Sequence, residues 1–539
     1  MTGGQALAAS LMRQGIDTIF GLPGVQLDGV FDALYDAQQG GDIRVIHPRH
    51  EQTTAYMADG YARTTGRIGA CLVVPGPGLL NASAALSTAY ACNSPVLCVT
   101  GQIQSDLIGV GRGMLHEIPN QLDMVRSVTK HAERATKPAE IPGLVDRAIR
   151  ALWDGRVRPV EIEVPPDTLF AESDVELLAP APERQRPTGD PDALEEAARL
   201  LGQAERPLIF SGGGVLGSEA WSELQALAEM LQAPVAMSPN GKGALSDRHY
   251  LGQNSIAAMT LINDADVIFC VGTRMIEPAT YPWGLKPGRT VIQMDIDPAE
   301  VGRNYDITVG IVADAKAGLA ELIDRAGAHN RKRDSRKDDF NAVKQAARAK
   351  LDAILPQAAF ARAIRDELPD DGILVNEMTQ ISYWGNVGFQ VYEPRTFISP
   401  GYQGTLGWGF PTSLGVKVGN PGKVVVSVNG DGGFGFALNE LATMARHQIG
   451  TIAIVFNDSA YGNVRRMQQE LFNGRTIASD LHNPDYVKLA ESFGVTGRRA
   501  TSPEALQSVL RESILADEPT LIEVPVEQMP NPWKVLNFR

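Results

Sequence analysis

Two aspartates and a run of glycines in the last third of the chain have the spacing of a phosphate and metal site. In Val425–Val464, VVSVNGDGGFGFALNELATMARHQIGTIAIVFNDSAYGNV, an apolar β-branched run ends in the elbow Asn429-Gly430-Asp431-Gly432-Gly433. A second apolar run closes on Asn457-Asp458, and Asp458 follows Asp431 by 27 residues, the length of one strand–helix–strand unit. Glycines opening a helix let backbone N–H groups approach an anion such as phosphate. A carboxylate inside that turn repels phosphate unless a cation lies between them, so Asp431 points to a diphosphate bridged by magnesium or calcium. Asp458 would supply the second ligand and a carbonyl of Ser459-Ala460 a third, leaving positions for phosphate oxygens and water. Taken alone, Asp458 reads equally as the cap of a turn. A glycine elbow after a strand also fits a nicotinamide or flavin oxidoreductase, but an aspartate inside the loop departs from the neutral GxGxxG pattern.

The elements that must position these residues are α/β units. Apolar runs such as RIGACLVV, SPVLCVTG, RPVEIEVP, RPLIFSGGG, ADVIFCVG, RTVIQMDID, KVVVSVNGDG and TIAIVFND alternate with helical patterns, as in parallel sheets covered on both faces. Two stretches read as linkers: the proline- and charge-rich Ala171–Pro191, and the charge-dense Arg325–Gln345, expected as a solvated connecting helix. The expectation is three doubly wound α/β domains, at 1–170, 188–325 and 350–539. A chain of 539 residues is too long for one core. Its 44% apolar and 21% charged content is ordinary for globular proteins, and a net charge of -14 argues against nucleic acid or an anionic membrane as partner. Four cysteines without CxxC or CxxH spacing imply buried thiols, neither disulfides nor zinc. No apolar run has the length of a membrane span. The N-terminus, read as an amphipathic helix running into a strand, lacks the pattern of a secretory leader, so a cytoplasmic enzyme is expected.

GDG followed by an Asn-rich strand end resembles the metal–diphosphate motif of the thiamine diphosphate-dependent enzymes. That motif usually ends in Asn-Asn, whereas this chain has Asn457-Asp458. A distant stretch, HPRHEQTTAYMADGYARTTGRIG, resembles the pyrimidine-domain signature of the same superfamily, and GYQGTLGWGFPTSLGV resembles its segment that grips the middle of the cofactor. The resemblance covers nearly the whole chain, in the order pyrimidine, central and diphosphate domains. It implies thiamine diphosphate and Mg2+ as cofactors, with Asp431, Asp458 and the Ala460 carbonyl on the metal. Gly430, Gly432, Gly433, Asn457 and Tyr461 would hold the diphosphate end, with Thr379 and Gln380 as further contacts. Glu51 would bond the pyrimidine nitrogen and drive the amino-to-imino shift that activates the thiazolium. The Gly404 carbonyl would accept from the pyrimidine amino group, and Leu406 would wedge the rings into a V. A homodimer or homotetramer with active sites at subunit interfaces is implied.

The layout is most similar to the acetolactate synthase branch, through FGLPG, PGPGLLNASAALSTAY, TGQ and MDIDPAEVGRN. Four positions depart from it. Pro278 stands in place of a substrate-gripping Arg, Met467 in place of a substrate-site Trp, LGQNSIAAM in place of a flavin-contacting stretch, and His116 in place of a Gln over the thiazolium. The first two weaken carboligation of two pyruvates and the third argues against FAD, and FSGGGV (210–215) reads as a tight structural turn. His116, which could donate to a carbonyl oxygen or relay a proton, would be a catalytic residue, with Gly24 and Gln26 beside it and Val25, Val74 and Pro75 as wall. His47 and His50 receive no role. The expected activity is that of a lyase or carboligase working next to a carbonyl, on a 2-oxo acid, 2-hydroxyacyl compound or diketone, through a C2 ylide and an enamine. The alternatives are an FAD-containing acetolactate synthase, an oxidoreductase, and an inactive binding homologue.

Overall fold

The computed structural model describes residues 1–182, 184–276, 285 and 288–536; Pro278 lies outside them. The first domain contributes β1 (Thr18–Gly21), β2 (Arg44–Ile46), β3 (Gly69–Val73), β4 (Val96–Gly101), β5 (His131–Arg134) and β6 (Val160–Val164). The central domain contributes β7 (Pro207–Ser211), β8 (Val235–Met237), β9 (Gly252–Gln253), β10 (Val267–Val271), β11 (Thr290–Asp295) and β12 (Val309–Val312). The third contributes β13 (Ile373–Asn376), β14 (Phe397–Ile398), β15 (Val425–Gly430), β16 (Ile452–Asn457), β17 (Thr496–Arg499) and β18 (Thr520–Pro525). Each set forms one parallel sheet, in the orders β2-β1-β3-β4-β6-β5, β12-β11-β10-β7-β8-β9 and β14-β13-β15-β16-β18-β17. The eight apolar runs named above become β3, β4, β6, β7, β10, β11, β15 and β16. Their β-branched residues are buried on both faces, as parallel strands between helices require.

In the third sheet the chain goes from β13 out to β14 and returns to the other side of β13 as β15. Such a reversal opens a crevice at the carboxyl ends of the strands, where α/β sheets bind ligands. Val428 pairs with Ile454 and Gly430 with Phe456, so Asp431 and Asp458 leave adjacent strand ends.

The first and third domains pack through helices Glu51–Thr65 and Gly409–Gly419 at backbone distance. A Cβ on Gly60 would lie 2.3 Å from the Thr412 carbonyl oxygen, and one on Gly415 would lie 2.0 Å from that of Met57. Trp408, fully buried, donates its indole N–H to the buried Asp59 at 3.2 Å, and Thr88 and Thr405 hydroxyls meet at 2.9 Å. The helix that begins at Glu51 is thereby fixed against the 401–416 block of the same chain.

The charge-dense Arg325–Gln345 is not one solvated helix. Helix Ala315–His329 ends inside it, residues 330–336 are irregular, and helix Lys337–Asp352 begins. Arg333 donates to the carbonyls of Leu201, Gly202 and Ala204 at 2.7–2.9 Å, capping the end of helix Pro191–Gln203, and Phe340 and Leu351 are buried. Charge density suggested solvent; the orphan carbonyls of a neighbouring helix recruited the charge instead.

Candidate functional site

Asp431 opens a one-turn helix, Asp431–Phe434, directly after β15. Its carboxylate is buried and accepts from Asn483 Nδ2 at 2.6 Å; the same amide reaches Asn457 Oδ1 at 2.9 Å. Asp458 accepts from Gln380 Nε2 at 3.3 Å and has Arg465 at 3.9 Å. Ser459 turns through φ +53°, after which the chain pairs with a short segment through Tyr461 N to Ser479 O and Leu481 N to Ser459 O, both 2.8 Å. Those two bonds leave the N–H and carbonyl of Ala460 off the ladder, and its N–H faces the carboxylates of Asp431 and Asp458. Tyr461 packs on the elbow, its ring 2.7 Å from where a Gly432 Cβ would stand, and Thr379 faces Gly430. Thr379, Gln380, Gly430, Asp431, Gly432, Asn457, Asp458, Ala460 and Tyr461 therefore converge.

Two carboxylates lie close enough in this cluster to influence each other's charge. Burial raises the Asp431 carboxyl above its usual range, against the Asn483 amide and local N–H groups. Burial and then the charge of Asp431 push Asp458 up to about 6, with Arg465 opposing. A hard divalent ion removes both penalties, and two carboxylates plus a carbonyl match its oxygen preference. Among the described residues no group of three or more His, Cys, Asp or Glu could hold a metal. The remaining ligands would come from backbone, phosphate and water.

Sequence reasoning missed Glu377, inside the quoted VNEMTQIS. It leaves β13, is 1% exposed, and accepts from Gly407 N at 2.7 Å. A Cβ on Gly433 would lie 2.1 Å from its Oε1, so this one carboxyl presses the elbow and ties it to the 401–409 block. Gly433 is required here by side-chain proximity. Burial pushes the carboxyl up to about 8, against the N–H groups of Gly407 and Gly409. Among the described residues its Oε2 and the Oδ1 of Asn429 are buried without hydrogen-bond partners, and both lie near Gly409, 2.8 and 2.6 Å from a Cβ built there. Gly404 takes a left-handed turn at φ +56°, and Leu406 follows on the loop tied down at Gly407.

The other predicted residues gather at the carboxyl ends of β1, β3 and β4. Glu51 opens its helix and accepts from Asn81 Nδ2 at 3.0 Å. A Cβ on Gly78 would meet Val74 at 2.6 Å and the Glu51 Cγ at 3.7 Å, and one on Gly24 would meet Val74 at 2.4 Å. His116, at φ +68°, has Nδ1 3.1 Å from Gln26 Oε1, and Gln26 Nε2 donates to the Leu115 carbonyl at 3.1 Å. With the amide oriented that way, a neutral His116 carries its proton on Nδ1 and presents a bare Nε2. It therefore accepts a proton at Nε2, and donates there only as the imidazolium. Gln121, unremarked in GMLHEIPNQLDMV, is 2% exposed and braces this corner. It accepts from Gly76 N at 2.9 Å and donates to Gly101 O at 3.0 Å and Glu163 at 2.7 Å.

Among the described residues, the side-chain hydrogen bonds of Glu51, Gln26 and His116 stay within the first domain. Exposed apolar residues flank both this group and the Asp431 cluster, Val25, Leu80 and Leu115 beside the first, Phe436, Met467 and Leu471 beside the second.

In the central domain, a Cβ on Gly212 would lie 2.2 Å from the Gly272 carbonyl oxygen, and one on Gly214 would lie 2.6 Å from the Gly272 Cα. Backbone packing accounts for the glycines of FSGGGV.

Comparison with known proteins gives matches to three family models: "Thiamine pyrophosphate enzyme, N-terminal TPP binding domain" over 1–124, "central domain" over 194–322, and "C-terminal TPP binding domain" over 377–524. Among curated relatives, a probable acetolactate synthase large subunit of Methanocaldococcus jannaschii is 34% identical, covering 98% of this chain and 93% of its own. A probable 2-ketoarginine decarboxylase of Pseudomonas aeruginosa is also 34% identical, covering 97% and 94%. An acetolactate synthase of Arthrospira platensis is 31% identical over 98% and 94%.

Proposed function

For this chain, which belongs to the thiamine pyrophosphate enzymes, we propose a magnesium-dependent lyase or carboligase acting on the C–C bond next to a carbonyl, with a 2-oxo acid as substrate and no FAD. The observation that carries the reading is the pairing of buried Asp431 with half-buried Asp458 at adjacent strand ends beside a glycine elbow, whose charge a cation-bridged diphosphate would neutralise. Asp431, Asp458 and the Ala460 carbonyl hold the metal, and Gly430, Gly432 and Gly433 with Thr379, Gln380, Asn457 and Tyr461 surround the diphosphate. Gly404 and Leu406 take the middle of the cofactor. When bound, the cofactor supplies a thiazolium carbon that adds to a carbonyl and stabilises the charge left by cleavage.

The chain's own groups do the rest. Glu51, steadied by Asn81, bonds the pyrimidine nitrogen and moves a proton there. His116 accepts or returns a proton at Nε2 beside the substrate carbonyl, with Gly24, Gln26 and Val74 as wall. A second copy completes the site, in a cytoplasmic homodimer or homotetramer; the first-domain hydrogen bonds of Glu51 and His116 and the exposed apolar residues near both groups support this. Among the described residues no helix is long and apolar enough to cross a membrane. A decarboxylase of a 2-keto acid among the relatives supports the substrate class. The synthases among them favour acetolactate formation as the second reading.

Turnover of enzyme reconstituted with thiamine diphosphate and Mg2+ alone, against pyruvate, longer 2-oxo acids and a 1,2-diketone, tests the proposal. Carbon dioxide with an aldehyde or acyloin is expected, and Glu51→Gln should lower turnover by about 10²–10⁴ while cofactor still binds. Acetolactate formed only with added FAD would overturn the flavin-free reading, and unchanged turnover in Glu51→Gln would overturn the role of Glu51.

A further inference from the structure

Between the central and third domains lies a cavity of about 220 Å³ that the proposed chemistry does not use. Lys242, Lys344 and Arg348 line it, together with Asn254, Val387 and Phe389. Lys242 is 4% exposed, and its ammonium uses one hydrogen bond, to the Phe389 carbonyl at 2.8 Å. Lys344 donates to the carbonyls of Asp247 and His249 at 2.9 and 2.7 Å. Among the described residues neither ammonium pairs with a carboxylate. The one acidic side chain in the wall, Asp247, is itself engaged by Val391 N at 2.8 Å. Arg348 donates to the Gly388 carbonyl at 3.0 Å and has its own partner in Asp352 at 2.9 Å. Asn254 accepts from Ala257 N at 2.9 Å through Oδ1, which leaves its amide donors as the free end. Burial lowers both lysines from their ordinary range. The wall thus holds donors and a net positive charge, Lys242 and Lys344 against the single carboxylate of Asp247, with an apolar patch from Val387 and Phe389. Cations with few neighbours in such a setting gain most from a hydrogen-bonded anion.

We propose that this cavity is a binding site for a small oxyanion, a carboxylate with a short carbon body or a phosphate, held by Lys242 and Lys344. The location makes it more than a surface sink. Gly388 and Phe389 end helix Gln380–Gly388, whose first residue bonds Asp458. An occupant would therefore sit at one end of the helix that touches the diphosphate cluster at the other. The proposal does not depend on which substrate the enzyme takes.

The test is isothermal titration calorimetry of the holoenzyme, its cofactor site filled, with inorganic phosphate and separately with propionate. At least one is expected to bind at about 1 mM or tighter, and the stronger identifies the source chemistry. Lys344→Met, a substitution of a partly exposed residue, should weaken binding at least tenfold. Lys242→Met, which replaces a buried cation by an apolar group of similar shape, should do the same. No heat from either anion, or equal affinity in the wild-type and Lys344→Met holoenzymes, would overturn the proposal.

Discussion

His116 and Gln26 are joined through Nδ1 and Oε1 at 3.1 Å, and the Leu115 carbonyl fixes which end of the glutamine amide faces the ring. The bond chooses the histidine tautomer, leaving Nε2 as the free nitrogen. Gln26→Leu removes the acceptor while keeping the volume. The expected result is a fall in kcat of about tenfold with KM within about twofold, and a fall of about 10² or more for His116→Ala. Steady-state kinetics on the reconstituted enzyme reads both. Wild-type kcat in both variants would remove His116 from the reaction.

Glu377 supplies a pH dependence. Its carboxyl is neutral in the fold up to about pH 8 but ionises near its ordinary value in the unfolded chain. Between those two limits the native state holds a proton that unfolding releases, so this group's contribution to stability falls as pH rises and is flat above about 8. The limiting slope for one proton is about 1.4 kcal/mol per pH unit. Glu377→Gln keeps the acceptor for Gly407 N and cannot ionise. Melting temperature from pH 6 to 9 should fall less steeply in Glu377→Gln than in wild type, and parallel curves would show that Glu377 is ionised.

Much of this site was legible because its key relations are local or motif-like. Twenty-seven residues between Asp431 and Asp458 is one β–α–β step, so neighbouring strand ends followed from spacing. The elbow announced itself through glycine. Glu377 did not, because its partners Gly407 and Gly433 lie 30 and 56 residues away and nothing in VNEMTQIS says that a carboxyl will be buried there. Asn483 was invisible for the same reason: an amide on a loop carries no period. Arg333 went unread because a surface cation and a helix-capping cation look alike until the helix end is in place.

The helix crossing at Gly60 and Gly415 sets how the first domain meets the third. A Cβ at Gly415 would stand 2.0 Å from the Met57 carbonyl oxygen, and backbone cannot yield as a side-chain end can. Gly415→Ala should cost about 3 kcal/mol or more, at the upper end of overpacking penalties. Gly422→Ala, with nothing within 4 Å of the added methyl, should cost less than about 0.5 kcal/mol. Thermal unfolding of the two variants gives the comparison. Equal melting temperatures would mean that the two helices are not in backbone contact.

Asp458 stands where the family motif usually has an amide, and the change has opposite consequences with and without metal. Without it, burial and then repulsion from Asp431 push Asp458 up to about 6. Asp458→Asn removes that repulsion, so the metal-free protein should melt higher than wild type. With metal, the wild-type site has one more negative charge directed at the cation, and charge count is a main control of affinity at oxygen sites. Mg2+ affinity in Asp458→Asn should therefore fall by about tenfold, or about 1.4 kcal/mol. The stabilisation gained on adding Mg2+ with thiamine diphosphate should shrink by a similar amount, since a ligand stabilises in proportion to the logarithm of its affinity. Differential scanning fluorimetry across a Mg2+ titration, in metal-free and cofactor-saturated samples, reads both signs at once. A variant that melts lower without metal, or that binds Mg2+ as tightly as wild type, would show that Asp458 is a turn cap and that the second metal ligand lies elsewhere.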